Sequence, residues 1–244
     1  MTSLWKQLEQ FKSETEMVEL SHPVSDKTPH WAGFTSLTSE ELYNFKEHRF
    51  TARVYKIVSQ YGTHIDAPGH FTEGGRMLDK LDPKDTILPL VVVDVSDKVK
   101  ENADYIVGEE DILRHEERHG KIPEGSFVAL RTDWSKRTEN FDNIDDDGIS
   151  HYPGWSIPAC RLLIEQRHVK AIGHETSDTD ASAISNKEGY LPVETYVLAQ
   201  DIYQVELMRN LDQMPPTGGV ISVGYPNMVD GPGFSARCFG FYKK

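Results

Sequence analysis

The sequence predicts an α/β fold with a mixed sheet, because strand-like and helix-like segments alternate along its 244 residues. The strand-like segments are short and largely apolar, and they lie at residues 88–95, 126–130 and 169–173. The helix-like segments lie at residues 108–119, 160–167 and 191–198. A chain of this length can bury a substantial core, so we expect a single domain over residues 1–244.

The chain begins with a predicted helical extension over residues 1–17. Its apolar side chains recur at spacings of about three and four residues, which is typical of a short amphipathic helix, at Leu4, Trp5, Leu8 and Phe11. We expect this helix, over residues 2–12, to pack on the domain or on a second subunit.

The next segments give one predicted helix start and three predicted strands. Residues 39–42, Ser-Glu-Glu-Leu, resemble the first turn of a helix. Residues 50–58 are rich in Val, Ile, Tyr and Thr, which favours a strand. Near the C-terminus, residues 218–223 and 235–241 supply two more strands.

The helix predicted over residues 108–119 carries a histidine pair. His115 and His119 are four residues apart, a spacing that could bind a metal, but charged residues surround them. A solvated helix face is therefore expected at both histidines, with Ile112 and Leu113 on the inner face.

Composition excludes several classes of function. The chain has 39 acidic and 26 basic residues, a formal net charge of −13, and no long basic cluster, which argues against a nucleic-acid partner. It shows neither the pattern of a secretory signal nor an apolar stretch of about 20 residues, so no membrane contact and a cytoplasmic location are expected. Cys160 and Cys238 are too few for a disulfide framework, and two free thiols are expected.

The densest group of possible metal ligands lies in residues 60–71. If the preceding strand continues, His64 and Asp66 project to the same side, and the turn at Pro68-Gly69 can bring His70 back toward them. Two imidazoles and a carboxylate suit zinc or manganese better than magnesium or calcium. Any one of these histidines alone could be a turn or core residue, but the three side chains together favour a metal site.

The segment Gly62-Thr63-His64-x-Asp66-x-Pro68-x-His70 resembles the signature of the metal-dependent cyclase family, which includes bacterial kynurenine formamidases and isatin hydrolases. The family motif reads His-x-Gly-Thr-His-x-Asp-x-Pro-x-His, and Gln60 stands here in place of its first histidine. The resemblance extends from residues 20–23 to residues 206–215. It implies the swivelling β/β/α fold and a homodimer or higher homo-oligomer.

The resemblance also implies further ligands. In the family, a histidine and a glutamate twelve residues apart help to bind a second metal ion. Glu206 matches that glutamate, whereas Glu194 replaces the histidine. The implied metal ligands are Gln60, His64, Asp66, His70 and Glu206, with one or two ions of zinc or manganese. Both replacements move the ligand shell toward oxygen, which favours manganese relative to a histidine-rich site.

Other residues are candidates for contact with a small-molecule substrate. The resemblance makes Trp31 a possible pocket wall, with a place in the core as the equal alternative, and Trp134 follows a strand end, where it could face substrate. His174 and Asp178 follow another strand. They are expected to contact the substrate or the metal ligands, and a purely structural turn is almost as plausible.

The chemistry expected of this site is hydrolysis of a small amide, ester or lactone by metal-activated water. Glu194, His70 and His174 are the candidates for moving the proton to the leaving group. One alternative is a lyase or dehydratase that uses the same metal. Another is a non-catalytic metal-binding protein, which is less favoured because structural sites are usually closed and rich in cysteine.

Overall fold

A computed structural model describes residues 3–244, and it contains a mixed nine-stranded sheet with helices packed against it. The strands are β1 Thr15–Glu19, β2 Thr38–Tyr43, β3 Ala52–Lys56, β4 His64–Asp66, β5 Ile87–Asp94, β6 Ile106–Val107, β7 Phe127–Arg131, β8 Gly154–Trp155, β9 Ala171–His174, β10 Tyr203–Glu206, β11 Gly219–Gly224, β12 Gly233–Ser235 and β13 Arg237–Lys243. The helices are α1 Leu4–Glu14, α2 Phe45–His48, α3 Ser96–Glu101, α4 Glu109–His119, α5 Ile157–Arg161, α6 Ser182–Glu188 and α7 Pro192–Ala199. The predicted α/β class with a mixed sheet is confirmed.

The large sheet has the strand order β1-β13-β11-β5-β7-β9-β10-β4-β12. Its central strands β5, β7, β9 and β10 are parallel, and the flanking strands are antiparallel. Parallel strands that are covered on both faces are apolar throughout, and β7 is buried over four of its five residues. The carboxyl ends of β7, β9 and β10 therefore meet at one edge of the sheet, where Arg131, His174 and Glu206 stand.

Two hydrophobic clusters cover the two faces of this sheet. Successive residues of a strand point to opposite faces, so Val92 and Ala129 belong to one cluster and Val91 and Leu130 to the other. The second cluster includes the fully buried Trp155 and receives apolar residues from α4, α5 and α7. None of the helices formed by residues 3–244 combines the length and the apolar character that crossing a bilayer requires.

The N-terminal helix and the segment after it differ in detail from the predictions. Helix α1 ends at Glu14, and Thr15 already belongs to β1, which pairs with β13. Met1 and Thr2, which the predicted extension included, lie outside the described residues.

The predicted helix start at residues 39–42 is wrong, because these residues lie in β2, which forms a separate hairpin with β3. All six residues of β2 are exposed, so this strand lacks the alternation of apolar and polar residues that identifies strands in a sequence. Strand β3 ends at Lys56 and does not run on into β4, which belongs to the large sheet.

Helix α4 is oriented differently from the predicted amphipathic arrangement. His115 is buried, with 7% of its surface exposed, whereas Leu113 is 50% exposed, so the expectation of a solvated His115 and an inward Leu113 is wrong. Asp111 also faces inward, where the side chains of Lys98 and Tyr105 and the backbone N–H of Gly108 donate to its carboxylate. Because these hydrogen bonds satisfy the buried charge, a polar side chain can occupy an inner position.

The burial of His115 predicts a loss of stability in acid. Burial, with a smaller contribution from His119, lowers the pKa of His115 from 6.5 to about 4. Between pH 6.5 and about 4, the His115 imidazole is mostly protonated in the unfolded chain but neutral in the folded chain. The free energy of unfolding therefore falls as the pH drops through this range. We expect His115→Gln to flatten this part of the curve when urea midpoints are measured between pH 7.5 and 4.5. The exposed His119→Gln is the matched control, and equal slopes for wild type and His115→Gln would contradict the prediction.

Candidate metal centre

The candidate metal centre is built where the short strand β4 lies between β10 and β12. The register pairs His64 with Glu206 and Asp66 with Gln204 on one side. Residues two apart in a strand share a face, so His64 and Asp66 project together, and Gln204 and Glu206 do the same. This pairing places residues from distant parts of the sequence side by side.

His64, Asp66 and Glu206 form the first group of possible ligands. The Nε2 atom of His64 lies 3.3 Å from a carboxylate oxygen of Asp66 and 3.3 Å from one of Glu206, and all three residues are buried. The Nδ1 atom lies 2.8 Å from the carbonyl oxygen of Gly62, to which an Nδ1–H can donate. This hydrogen bond leaves Nε2 facing the two carboxylates, where it can donate to them when His64 is protonated or bind a metal ion when His64 is neutral.

The same geometry perturbs the charges of the metal-free protein. Burial alone lowers the pKa of His64, but Asp66 and Glu206 together raise it well above its usual value. Burial raises the pKa of Glu206, and hydrogen bonds with His174 and His64 lower it overall. A proton on His64 therefore balances the two carboxylates, and an incoming cation has to compete with that proton.

Asp66, His70 and Glu194 form a second group, and Asp66 belongs to both groups. His70 ends a 3₁₀ turn at Pro68–His70, and its Nε2 atom lies 3.9 Å from Oδ1 of Asp66. Within each group, one ligand atom from every residue lies within 4.8 Å of the others. The arrangement thus offers one or two positions for an ion, with Asp66 between them.

Unpartnered polar atoms provide a test of whether a cation fits. Oδ1 of Asp66 and Nε2 of Gln60 are buried and have no hydrogen-bond partner in residues 3–244. Gly233 of β12 lies against both, and a Cβ atom there would come within 2.7 Å of Asp66 Oδ1 and 2.8 Å of Gln60 Nε2. Buried acceptors rarely lack a partner, so an open oxygen beside two imidazoles fits a divalent metal ion.

Glu194 reaches the site from the first turn of α7. The carboxylate of Asp180 accepts the backbone N–H groups of Val193 and Glu194, each at 2.9 Å, and so caps this helix. Burial, and then the charges of Glu206 and Asp66, raise the pKa of Glu194 well above its usual value. Without an ion, Glu194 therefore tends to hold a proton.

Gln204 is a residue of the site that the sequence did not reveal. Its Nε2 lies 2.9 Å from Glu194 Oε1, 3.0 Å from Glu206 Oε1 and 3.3 Å from Asp66 Oδ2. Its carbonyl oxygen accepts a hydrogen bond from Thr179 at 2.7 Å. The side chain is fully buried, and its amide group lies among three carboxylates. The only signal in the sequence is its position two residues before Glu206, on the same strand face.

The remaining predicted site residues lie at different distances from the ligand groups. His174 is fully buried and lies behind Glu206, with its Nε2 3.4 Å from Glu206 Oε1. Trp31 is half-exposed and lines the mouth of a cavity above the ligands. Trp134, predicted to face substrate, instead lies in the core, because its indole N–H donates to the carbonyl of Phe141 and its ring packs in the second cluster.

The cavity has a volume of about 650 Å³, and both possible metal ligands and aromatic side chains line it. The ligand side is formed by His64, His70, Glu194 and Glu206, together with Gln60. Apolar side chains also line the cavity: Trp31, Phe34, Phe71, Tyr190 and Leu191. A cavity of this size and lining suits a small, partly aromatic molecule.

Comparison with known proteins agrees with this site. The sequence profile of the Cyclase family matches residues 18–181. The chain is 29% identical to the isatin hydrolase of Roseibium aggregatum over 190 residues, which cover 75% of this chain and 72% of that enzyme. It is 30% identical to the kynurenine formamidase of Bacillus cereus over 128 residues, which are 49% of this chain and 61% of that enzyme.

The same relationship holds in three dimensions. The structure of isatin hydrolase A from Labrenzia aggregata, bound to benzyl benzoate, matches with a TM-score of 0.91 and 29% identity, over 99% of this chain and 100% of that chain. The predicted cyclase-like fold and the resemblance on which it rested are both confirmed. The chain therefore belongs to the Cyclase family, and it is a hydrolase.

Proposed function

We propose that this enzyme cleaves the C–N bond of a small amide, either a lactam or an N-formyl amide, that carries an aromatic ring. One observation supports this proposal above the others: residues of both ligand groups line the same cavity as four aromatic side chains, Trp31, Phe34, Phe71 and Tyr190. Isatin hydrolase and kynurenine formamidase, to which the chain is similar, are named for such activities. An ester or lactone with the same ring is the second candidate, because the same aromatic side chains of the cavity would contact that ring.

His64, Asp66 and Glu206 would hold the first ion, and His70 and Glu194 a second one beside Asp66. An ion at this position supplies Lewis-acid polarisation of the scissile carbonyl and acidifies water. Two imidazoles among carboxylates suit zinc and manganese, and the carboxylate oxygens of Asp66, Glu194 and Glu206 favour manganese. The oxygen of Gln60, predicted as a ligand, instead accepts a hydrogen bond from Ser59. We propose manganese as the native metal, with zinc as the alternative.

The protein's own groups then move the proton of the attacking water. Glu194 lines the cavity and would be ionised once a cation offsets the charges of Asp66 and Glu206, so its carboxylate is placed to accept that proton. His70 is partly exposed beside Asp66, and it can pass the proton to solvent. His174 does not line the cavity. We assign it to the positioning of Glu206 and not to proton transfer.

We also propose that two copies associate through the β2–β3 hairpin and α2. An isolated two-stranded hairpin is only marginally stable in water. This one exposes large apolar side chains at Leu42, Tyr43, Phe45, Phe50 and Val54. A second copy would cover them, and light scattering after gel filtration tests this.

We propose a cytoplasmic location because both cysteines are free, as expected in a reducing compartment.

The test of the proposed function combines metal analysis with a panel of substrates. The protein is stripped with a chelator, reloaded with zinc or manganese, and assayed with isatin, an N-aryl formamide and an aryl lactone. We expect turnover only after reloading, with each product carrying one added water. Asp66→Asn is the matched variant and should lose both metal and turnover. A metal-loaded wild type that turns over none of the three, or that eliminates water from a hydroxylated substrate, would contradict the proposal.

A further inference from the structure

Asp178 is a carboxyl group that faces the substrate cavity but belongs to neither ligand group. It follows β9 and lines the cavity together with His64, Glu194 and Glu206. The hydroxyl of Tyr152, which is itself buried, donates a hydrogen bond to Oδ2 of Asp178. The other oxygen, Oδ1, makes no hydrogen bond within residues 3–244, and Asp178 is half-buried where it lines the cavity. One carboxyl oxygen is thus held by the protein, and the other remains available to a bound molecule.

The surroundings of Asp178 favour its protonated form. In the metal-free protein, burial is the largest cause, and the charge of Glu206 adds to it, so that the pKa of Asp178 rises to about 7. Asp142 and Asp180 raise it further, whereas the hydrogen bond from Tyr152 lowers it. No lysine or arginine in residues 3–244 forms an ion pair with this carboxyl. The pKa of the Tyr152 phenol is raised far above 10, so Tyr152 remains a donor at neutral pH.

This pairing fixes where the proton of Asp178 lies. Because the Tyr152 hydroxyl donates to Oδ2, a protonated Asp178 carries its hydrogen on Oδ1, the oxygen open to the cavity. Glu194 lines the same cavity but differs from Asp178 in belonging to the second ligand group, where a bound cation would keep its carboxylate ionised. Two carboxyl groups in different environments can divide acid and base roles between them.

We propose that Asp178 is the general acid that protonates the leaving nitrogen, and that it thereby makes the enzyme selective for amides over esters. This inference rests on the proposed hydrolysis of an amide. As the C–N bond breaks, its electron pair passes to nitrogen, which takes the proton from Asp178 Oδ1. The resulting carboxylate is stabilised by the Tyr152 hydroxyl. The proton taken from the attacking water by Glu194 returns to Asp178 through solvent in the cavity, so one water is consumed and the enzyme is restored.

The chemical reason for selectivity is the difference between the two leaving groups. An amide nitrogen is expelled only when it is protonated, because the amide anion is a very strong base. An aryl oxide is a weak base and leaves without a proton. A general acid therefore accelerates amide cleavage by about 10²–10⁴-fold and is of little use to an aryl ester.

The experiment compares Asp178→Asn with wild type on two substrates that differ in one atom, N-phenylformamide and phenyl formate. Asparagine keeps the size and polarity of the side chain but has no acidic proton. We expect kcat/KM for the amide to fall by about 10²–10⁴-fold and kcat/KM for the ester to fall by less than about tenfold. Metal content should be unchanged, and Asp178→Glu should recover part of the amide activity. Equal losses on both substrates, or no loss on the amide, would overturn the assignment.

Tyr152→Phe gives an independent test through the pH profile. Removing this hydrogen bond raises the pKa of Asp178, because the bond favours the ionised carboxyl. A general acid acts in its protonated form, so we expect the alkaline limb of the amide profile to move to higher pH in this variant. An unmoved limb would argue against Asp178 even if Asp178→Asn failed to fold. Failure of the metal-loaded wild type on both substrates would instead refute the proposed hydrolysis itself.

Discussion

Replacing His64 with alanine is expected to remove the bound metal and to lower kcat/KM for an amide by more than about 100-fold. Loss of a residue that only orients a ligand typically costs about 10–100-fold in affinity or activity, and loss of a ligand should cost more. We expect this large effect because Nε2 of His64 lies 3.3 Å from a carboxylate oxygen of Asp66 and 3.3 Å from one of Glu206. Elemental analysis and steady-state kinetics on the same preparation measure both effects.

The control for this variant is His119→Ala, which removes an exposed imidazole from the end of α4. It should keep the metal content and the kinetics of wild type. His64→Ala should also lose the thermal stabilisation that added zinc or manganese gives to wild type. Wild-type metal content in His64→Ala would show that the ion binds elsewhere.

Replacing Gln204 with leucine is expected to destabilise the metal-free protein by about 3 kcal/mol. Hydrogen bonds to charged groups contribute about 1.5–3 kcal/mol each, and removing a donor from buried charges leaves them uncompensated. The Gln204 amide contacts oxygens of Glu194, Glu206 and Asp66. Leucine fills a similar volume but donates no hydrogen bond. Urea unfolding in the presence of a chelator measures the effect.

The matched control is Gln200→Leu, at an exposed position after α7. Its free energy of unfolding should change by less than about 0.5 kcal/mol. Saturating zinc or manganese should restore part of the stability of Gln204→Leu, because a cation neutralises the same carboxylates. If Gln204→Leu unfolds at the wild-type urea concentration without metal, the amide does not stabilise these carboxylates.

The sequence predicts the local part of this site well. The two-residue spacing of His64 and Asp66 places them on one strand face, and the turn at residues 68–70 returns His70 toward Asp66. Both features depend on a few neighbouring residues. The contribution of Glu206 came only from resemblance to a family, because no local pattern pairs it with His64.

Other features depend on tertiary contacts that leave no local pattern. Gln204 is neutral and belongs to no ligand type, and its function follows from the register between β10 and β4. His115 lies in a charged helix, and nothing in its neighbourhood reveals that the helix turns this side chain inward. Strand β3 falls within the strand predicted over residues 50–58, whereas β2 is missed for a different reason: all its residues are exposed, so period-two alternation is absent.

The pairing of β4 with β10 also determines at which stage of synthesis and folding the metal site can form. Thr63 donates a hydrogen bond to the carbonyl of Leu207, 144 positions later, and β12 must still be added on the other side of β4. A chain emerging from the ribosome therefore presents His64 and Asp66 long before Glu206 has been synthesised. The ion can be bound only by a nearly complete chain, so metal supply acts on the finished fold and not on its early intermediates.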